Sequence, residues 1–102
     1  MPEFVRVADI QETPPGTSRV LHIRGREIAL FNADGMFCAV KNTCPHRGFS
    51  LDRGAVEDGI VTCPGHGWQF DLRTGDSVDH PPAGIRCYRV EIRQGWAWVE
   101  VP

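Results

Sequence analysis

No long apolar run occurs in this sequence, and neither sign of charge predominates. The 102 residues include 11 Lys and Arg against 13 Asp and Glu, which gives a formal net charge of -2. This balance gives no indication of nucleic acid or an anionic membrane as a partner. No stretch approaches the roughly 20 apolar residues that a spanning helix requires. We therefore expect no membrane or nucleic-acid partner.

The amino-terminal segment MPEFVRVADIQE contains no basic region followed by an apolar core, the pattern that is typical of a secretory signal. We therefore expect a cytoplasmic protein. Low-complexity segments that would indicate disorder are also missing. A chain of this length has room for one hydrophobic core, so the expected organisation is a single domain over residues 1–102.

Glycine and proline recur every several residues, and the segments between them are short and rich in Val, Ile, Phe, Tyr and Trp. Such punctuation predicts an all-β fold. The expected strands cover residues 4–8, 19–24, 27–32, 37–42, 59–63, 68–72, 87–93 and 96–101. Gly25 and the pair Asp34-Gly35 lie where hairpin turns would join strands, and one helical turn is expected after Asp9.

Two loops between the predicted strands each carry a cysteine and a histidine. CPH contains Cys44 and His46, and sixteen residues separate it from CPGH, which contains Cys63 and His66. The chain has four cysteines, but two disulfides would be typical of a secreted protein, so metal binding is favoured. A third loop, residues 76–84, is long enough to fold back over the second pair.

Two thiolates and two imidazoles suit either a tetrahedral zinc ion or a [2Fe-2S] cluster of mixed ligation. Zinc fingers favour pairs of like ligands with the histidines on a helix, whereas each pair here is mixed and no helix follows. Glycines in both loops also allow backbone N–H groups to approach cluster sulfides closely. The pattern therefore favours a cluster with Cys44 and Cys63 on the inner iron and His46 and His66 on the outer iron.

The remaining cysteines and histidines follow no ligand pattern. Cys38 and Cys87 lie in apolar strand segments, and we expect them to be buried, inert thiols. His22 lies within a predicted strand and His80 within the third loop. Each is expected to have a surface or packing role, because a lone histidine is weak support for a site.

Three side chains lie beside the ligand pairs in the sequence. Trp68 follows His66 by two residues, and we expect it to shield the cluster there. Arg47 and Arg73 flank the loops. Both are expected on the surface, where a cation beside a redox tip would also be able to meet an acidic partner.

These motifs resemble the Rieske signature. CPH and CPGH carry the resemblance, and GWQFDLRTG with the downstream HPPAG is similar to the continuation in Rieske ferredoxins. The similarity extends from FVRVADI to WAWVEV, nearly the whole chain. It implies an antiparallel β-sandwich or barrel whose tip, formed by two loops, binds a Rieske-type [2Fe-2S] cluster. By position, the implied ligands are Cys44, His46, Cys63 and His66.

The resemblance implies a soluble one-electron carrier that takes electrons from an NAD(P)H-dependent reductase and docks transiently, at the cluster tip, on a terminal oxygenase such as an aromatic-ring dioxygenase. The carrier would not itself be an enzyme. The main alternative is the small Rieske-like subunit of an assimilatory NAD(P)H nitrite reductase. A catalytic oxygenase subunit is disfavoured, because only His22 and His80 remain to hold a mononuclear iron. A cytochrome bc subunit would need a membrane anchor and an additional pair of loop cysteines.

High-potential Rieske proteins carry a disulfide between the two loops and hydroxyl donors to the cluster. In this chain, Phe49 and Gly65 match the positions of the two disulfide cysteines. The hydroxyl donors of those proteins are a serine and a tyrosine, and Trp68 and Phe70 match their positions. Since none of these side chains supplies the same bonds, the resemblance implies a midpoint potential near the low end of the Rieske range, about -150 mV.

Overall fold

The computed structural model describes residues 2–46 and 48–102. Within these ranges the chain forms ten strands and two short 3₁₀ turns, with no α-helix, so the predicted all-β fold is confirmed. Across the same residues, no helix has the length and apolar character needed to cross a membrane. The strands are β1 (Glu3–Asp9), β2 (Ser18–Ile23), β3 (Arg26–Ala33), β4 (Met36–Lys41), β5 (Ala55–Glu57), β6 (Ile60–Thr62), β7 (Gln69–Asp71), β8 (Cys87–Tyr88), β9 (Val90–Arg93) and β10 (Trp96–Val101).

The predicted local turns are confirmed. A 3₁₀ turn follows Asp9, whose carboxylate accepts the backbone N–H of Gln11 at 2.9 Å. Two-residue turns join β2 to β3 and β3 to β4, and both residues of each turn have positive φ. This conformation matches the twist of hairpin strands and favours a glycine at the second position. The same chemistry recurs in the turns that join β5 to β6 and β9 to β10.

The strands form three antiparallel sheets, ordered β1-β10-β9, β2-β3-β4-β8 and β5-β6-β7. Strand β3 shows how they pack, because alternate residues of a strand point to opposite faces. Ile28 and Leu30 enter one core with Val99 of β10, whereas Phe31 enters a second core with Phe70 of β7. The central sheet is therefore buried on both faces and separates two cores, where the chain length led us to expect one. The second core also contains the first residue of each cysteine loop.

The prediction of one strand over 87–93 was wrong. Strand β8 pairs with β4 of the central sheet, whereas β9 pairs with β10 of another sheet. The chain changes sheets at Arg89, whose carbonyl accepts the backbone N–H of Glu100 at 2.9 Å. The segment CYRVEIR has the pattern of one strand, and that pattern does not show that its two halves join different sheets. The three-residue strand β5 was also missed, because it is too short to produce an alternating pattern.

Candidate metal centre

The two cysteine loops, residues 44–49 and 63–68, are closed by equivalent pairs of backbone hydrogen bonds. In the first, the N–H of Cys44 donates to the carbonyl of Phe49 at 2.9 Å, and the N–H of Gly48 donates to the carbonyl of Cys44 at 2.9 Å. The second loop repeats both bonds at equivalent positions, at 2.7 and 3.1 Å. A bridge closes the base of the first loop, and the β6–β7 ladder closes that of the second. Strands thus hold both loops in one geometry.

The loops separate the four predicted ligands by donor type. Cys44 is 1% exposed and Cys63 is 2% exposed, and both lie in the second core. His46 and His66 are exposed, and their ring centroids lie 4.8 Å apart with the planes at 83°. The described cysteines form no disulfide. The loops therefore present two imidazoles at the surface above two buried thiols.

This donor set fits a [2Fe-2S] cluster of mixed ligation, in which thiolates hold one iron and imidazoles hold the other. Among the described residues, no three His, Cys, Asp or Glu side chains converge on one point as ligands of a single ion. A cluster does not require such convergence, because each iron takes two protein donors and is completed by bridging sulfides.

The aromatic residue that ends each loop contacts the histidine of the other loop. Trp68 stacks on His46, with centroids 4.5 Å apart and planes at 11°. Phe49 meets His66 edge-on, with centroids 6.0 Å apart and planes at 68°. Trp68 is a neighbour of His66 in sequence, but its ring stacks on His46 of the other loop. The contact joins two loops, so proximity along one loop does not predict it.

Phe49 also covers Gly65 of the second loop. A Cβ at residue 65 would overlap the Phe49 ring. The two positions that the Rieske resemblance matches to the disulfide of high-potential proteins are therefore in contact here, without any sulfur. Phe70, matched to the tyrosine, is fully buried in the core that holds both loop cysteines, where its ring offers no donor.

The third loop contacts Trp68 and Gln69 at the end of the second ligand loop, and it places His80 on the outer face of Trp68. The two rings are stacked, with centroids 3.9 Å apart and planes at 7°. Asp79 fixes this arrangement. Its Oδ1 accepts the backbone N–H of Gln69 at 3.1 Å and the hydroxyl of Ser77 at 3.3 Å, and it lies 3.0 Å from Nδ1 of His80. The hydrogen bond from Gln69, followed by that from His80, lowers the pKa of the Asp79 carboxyl.

The packing role expected for His80 is confirmed, but its contact with the site was missed. Nothing in the sequence pairs residue 80 with residue 68, since the contact depends on how the third loop closes. The HPPAG segment was the available signal, because it indicated that this loop belongs to the site. His22 matches its expected surface role and lies 3.4 Å from Glu27.

A buried amide, also missed from the sequence, supports the first loop. Asn42 is 1% exposed, and its Nδ2 donates to Asp52 at 2.8 Å and to Glu27 at 2.9 Å. Its Oδ1 accepts the backbone N–H of Asp52 at 2.8 Å. Asn42 thereby joins the chain entering the loop to the 3₁₀ turn Leu51–Arg53 that follows it. Asparagine is common in turns, so the sequence alone did not distinguish this one.

The other predictions near the site have mixed outcomes. Cys38 is buried as expected, and burial raises its pKa to about 11, whereas Cys87 is only half-buried. Arg73 lies beyond the end of the β6–β7 hairpin that is remote from the ligand loop, and its Nε donates to Asp71 at 3.2 Å. The idea that Arg73 flanks a redox tip was therefore wrong. Arg47 lies outside the described residues.

A family model of the Rieske [2Fe-2S] domain matches residues 3–89. The chain belongs to the Rieske family. This Rieske protein is 35% identical over 97 residues to the 3-phenylpropionate/cinnamic acid dioxygenase ferredoxin subunit of Photorhabdus laumondii, with 93% of this chain and 91% of that relative covered.

Solved structures share its fold. A chain in the complex of reduced oxygenase and oxidised ferredoxin of carbazole 1,9a-dioxygenase matches with a TM-score of 0.86 at 28% identity, covering 94% of this chain and 91% of that one. A protein assigned as an NADH-dependent nitrite reductase small subunit from Mycobacterium tuberculosis matches with a TM-score of 0.86 at 24% identity, covering 100% and 96%, and shows the fold alone.

Membership of the family establishes the cofactor as a Rieske-type [2Fe-2S] cluster. Such a cluster exchanges single electrons, with a potential that depends on its ligands and their surroundings. This Rieske protein is an electron-transfer component, like the dioxygenase ferredoxin subunit that it matches over nearly its full length.

Proposed function

We propose that Cys44, His46, Cys63 and His66 are the cluster ligands, and that this Rieske protein carries electrons from an NAD(P)H-dependent reductase to a terminal oxygenase. The observation that carries the proposal is the paired arrangement at the tip. Two exposed imidazoles lie 4.8 Å apart above two thiols that are almost completely buried. This arrangement supplies both halves of a mixed ligand set on two loops with the same backbone bonds.

When bound, the cluster supplies one-electron redox chemistry in which no bond to a substrate forms or breaks. The chain contributes position and access. The cysteine thiols are shielded within the second core, whereas the exposed rings of His46 and His66 can meet a partner directly. A partner's acceptor that hydrogen-bonds a ring N–H there would shorten the electron-transfer distance. The electron therefore enters and leaves at the tip.

The tip offers exposed apolar side chains to a short-lived complex. Phe49 is 42% exposed beside His66, and Val78 of the third loop is 51% exposed. Redox encounters of this kind usually bury less than about 1,200 Å² in total, which permits rapid exchange of partners. A carrier must release its reductase before it meets an oxygenase, so weak docking suits this role.

An oxygenase partner is supported by the relatives, which include a dioxygenase ferredoxin subunit and a ferredoxin solved with its oxygenase. Within residues 2–46 and 48–102, no group of three His, Cys, Asp or Glu side chains is arranged to hold a metal ion. His22 and His80, the two histidines outside the ligand set, make separate contacts with Glu27 and Trp68. We further propose that residues 1–102 act as one domain and that the protein works in the cytoplasm.

Reconstitution tests the proposal. Added to an NAD(P)H-dependent reductase and a terminal oxygenase, the holoprotein should raise substrate turnover, while alone it should oxidise no organic substrate. The His66→Ala variant should give no increase, and His22→Ala, a substitution away from the tip, should match the wild type. Stoichiometric co-purification with a sirohaem protein, together with stimulated nitrite reduction, would instead establish the nitrite reductase alternative.

A further inference from the structure

Three stacked rings run from the tip into the third loop. The His46 imidazole lies against one face of the Trp68 indole, with centroids 4.5 Å apart, and the His80 imidazole lies against the other face at 3.9 Å. The planes differ by only 11° and 7°, so the indole is held between two nearly parallel rings. Each residue comes from a different loop, and the stack therefore couples all three loops.

The outer ring of this stack is itself held in place. Oδ1 of Asp79 lies 3.0 Å from Nδ1 of His80, and the backbone N–H of His80 donates to the Ser77 hydroxyl at 2.9 Å. The same Asp79 oxygen accepts the backbone N–H of Gln69, the residue after Trp68. One carboxylate thus fixes both the outer ring and the backbone beside the indole.

The equivalent position in the first loop is arranged differently. Phe49 meets His66 edge-on at 6.0 Å, and 42% of the Phe49 residue remains exposed. The capped stack is therefore not a consequence of the backbone that the two loops share. It depends on the side chains at positions 68, 79 and 80.

We propose that His80 is a positioning residue that, through Trp68, fixes the ring plane of His46. The proposal rests on the assignment of His46 as a ligand in the proposed function. An imidazole binds iron along the direction of its nitrogen lone pair, so the ring plane affects the geometry and electronic structure of the site. Removing His80 exposes one face of Trp68 to water, which allows the indole, and with it His46, to occupy a wider range of orientations.

Three variants isolate the stacked ring. His80→Ala removes it, His80→Phe restores an aromatic ring without the imidazole, and Asp79→Asn keeps the ring but weakens its anchor. His22→Ala is the matched control, because His22 is also exposed and beside a carboxylate, that of Glu27. Since His80 is exposed, its removal leaves no internal cavity, and folding should be retained.

The readouts are the EPR line widths of the reduced holoprotein and the rate at which a chelator removes iron. For His80→Ala we expect broader lines and iron loss about three- to tenfold faster, the range that corresponds to one aromatic pair. Asp79→Asn should change both readouts in the same direction but less, whereas His80→Phe should return iron loss to within about twofold of wild type. His22→Ala should change neither.

A His80→Ala protein that matches His22→Ala in both readouts would overturn the inference while leaving the proposed ligands intact. Failure of His80→Phe to restore either readout would also overturn it, because the effect would then not depend on stacking. If the wild-type holoprotein gave no EPR signal of a histidine-ligated cluster, the assignment of His46 and His66 as ligands would be wrong. The inference about His80 would then be wrong as well, because it depends on that assignment.

Discussion

The loops at residues 44–49 and 63–68 have the same backbone hydrogen bonds, yet their surroundings differ. The first is supported by the buried Asn42, and the second by the exposed third loop through Asp79. Strands and backbone bonds therefore position the four proposed ligands in the same way, whereas the side chains that support the two loops from outside differ. The two histidines at the tip are equivalent in donor type but not in environment.

The largest expected effect is loss of the cluster, and it tests the cysteine that begins each loop. Cys44→Ser and Cys63→Ser should each abolish the cluster, because a hydroxyl is a poor replacement for a buried thiolate ligand. Iron and acid-labile sulfide analysis, with visible absorbance, measures the loss. Cys87→Ala should retain full cluster content. Retention of the cluster in either serine variant would contradict the assignment of that cysteine as a ligand.

The next effect concerns Cys38, a buried cysteine outside the proposed ligand set. Burial raises the pKa of Cys38 from 9.0 to about 11, which lowers its thiolate fraction at pH 8 by about a hundredfold. Alkylation of folded holoprotein by iodoacetamide, followed by mass spectrometry, should therefore label Cys38 at least about a hundredfold more slowly than in unfolded protein. The rate should increase as the pH approaches 11. Equal rates in folded and unfolded protein would contradict the inert role.

The supports of the two loops should differ in their contribution to stability. Asn42→Ala removes the hydrogen bonds of a buried amide to the half-buried Asp52 and the exposed Glu27, and it should lower the free energy of unfolding by about 1–3 kcal/mol. Asp79→Asn, which alters an exposed group, should cost less. Urea unfolding of the two anaerobic holoproteins measures both. A larger loss of stability for Asp79→Asn than for Asn42→Ala would contradict the view that the buried amide is the stronger support.

Phe70→Tyr tests the surroundings of the cysteines. The wild-type midpoint should lie near -150 mV, the low end of the Rieske range. A tyrosine hydroxyl that donates to the cluster environment would stabilise the reduced, more negative form, and one charge-assisted bond should raise the midpoint by about 60 mV. Voltammetry measures the shift, with Tyr88→Phe in the other core as the control. An unchanged potential would mean that position 70 does not correspond to the donor.

The smallest effect concerns the more exposed side of the tip. Phe49→Ala should raise the KM for the partner oxygenase about three- to fivefold with little change in kcat, because it removes apolar contact from a weak docking surface. Val20→Ala, another exposed apolar position at 38%, is the control. A fall in kcat at unchanged KM would place Phe49 in support of the cluster instead of in docking.

The sequence predicted most strands, the hairpin turns and the assembly of the Cys/His pairs, because these depend on local alternation, turn chemistry and spacing. It did not predict that the chain passes from one sheet to another at Arg89. The strand pattern does not show which sheet a strand joins. It also missed the contacts of Asn42 and His80. Both depend on where separate loops meet in space, and a single polar or aromatic residue carries no pattern that identifies its distant partner.

Pulsed EPR of the reduced wild-type protein tests the proposed ligand set most directly, because it detects nitrogen bound to iron. We expect the low-average-g signal of a Rieske cluster with coupling to two histidine nitrogens, in a protein that contains two irons and two sulfides per chain. A signal without nitrogen coupling, or a chain with one zinc ion and no sulfide, would contradict the assignment of His46 and His66 as ligands.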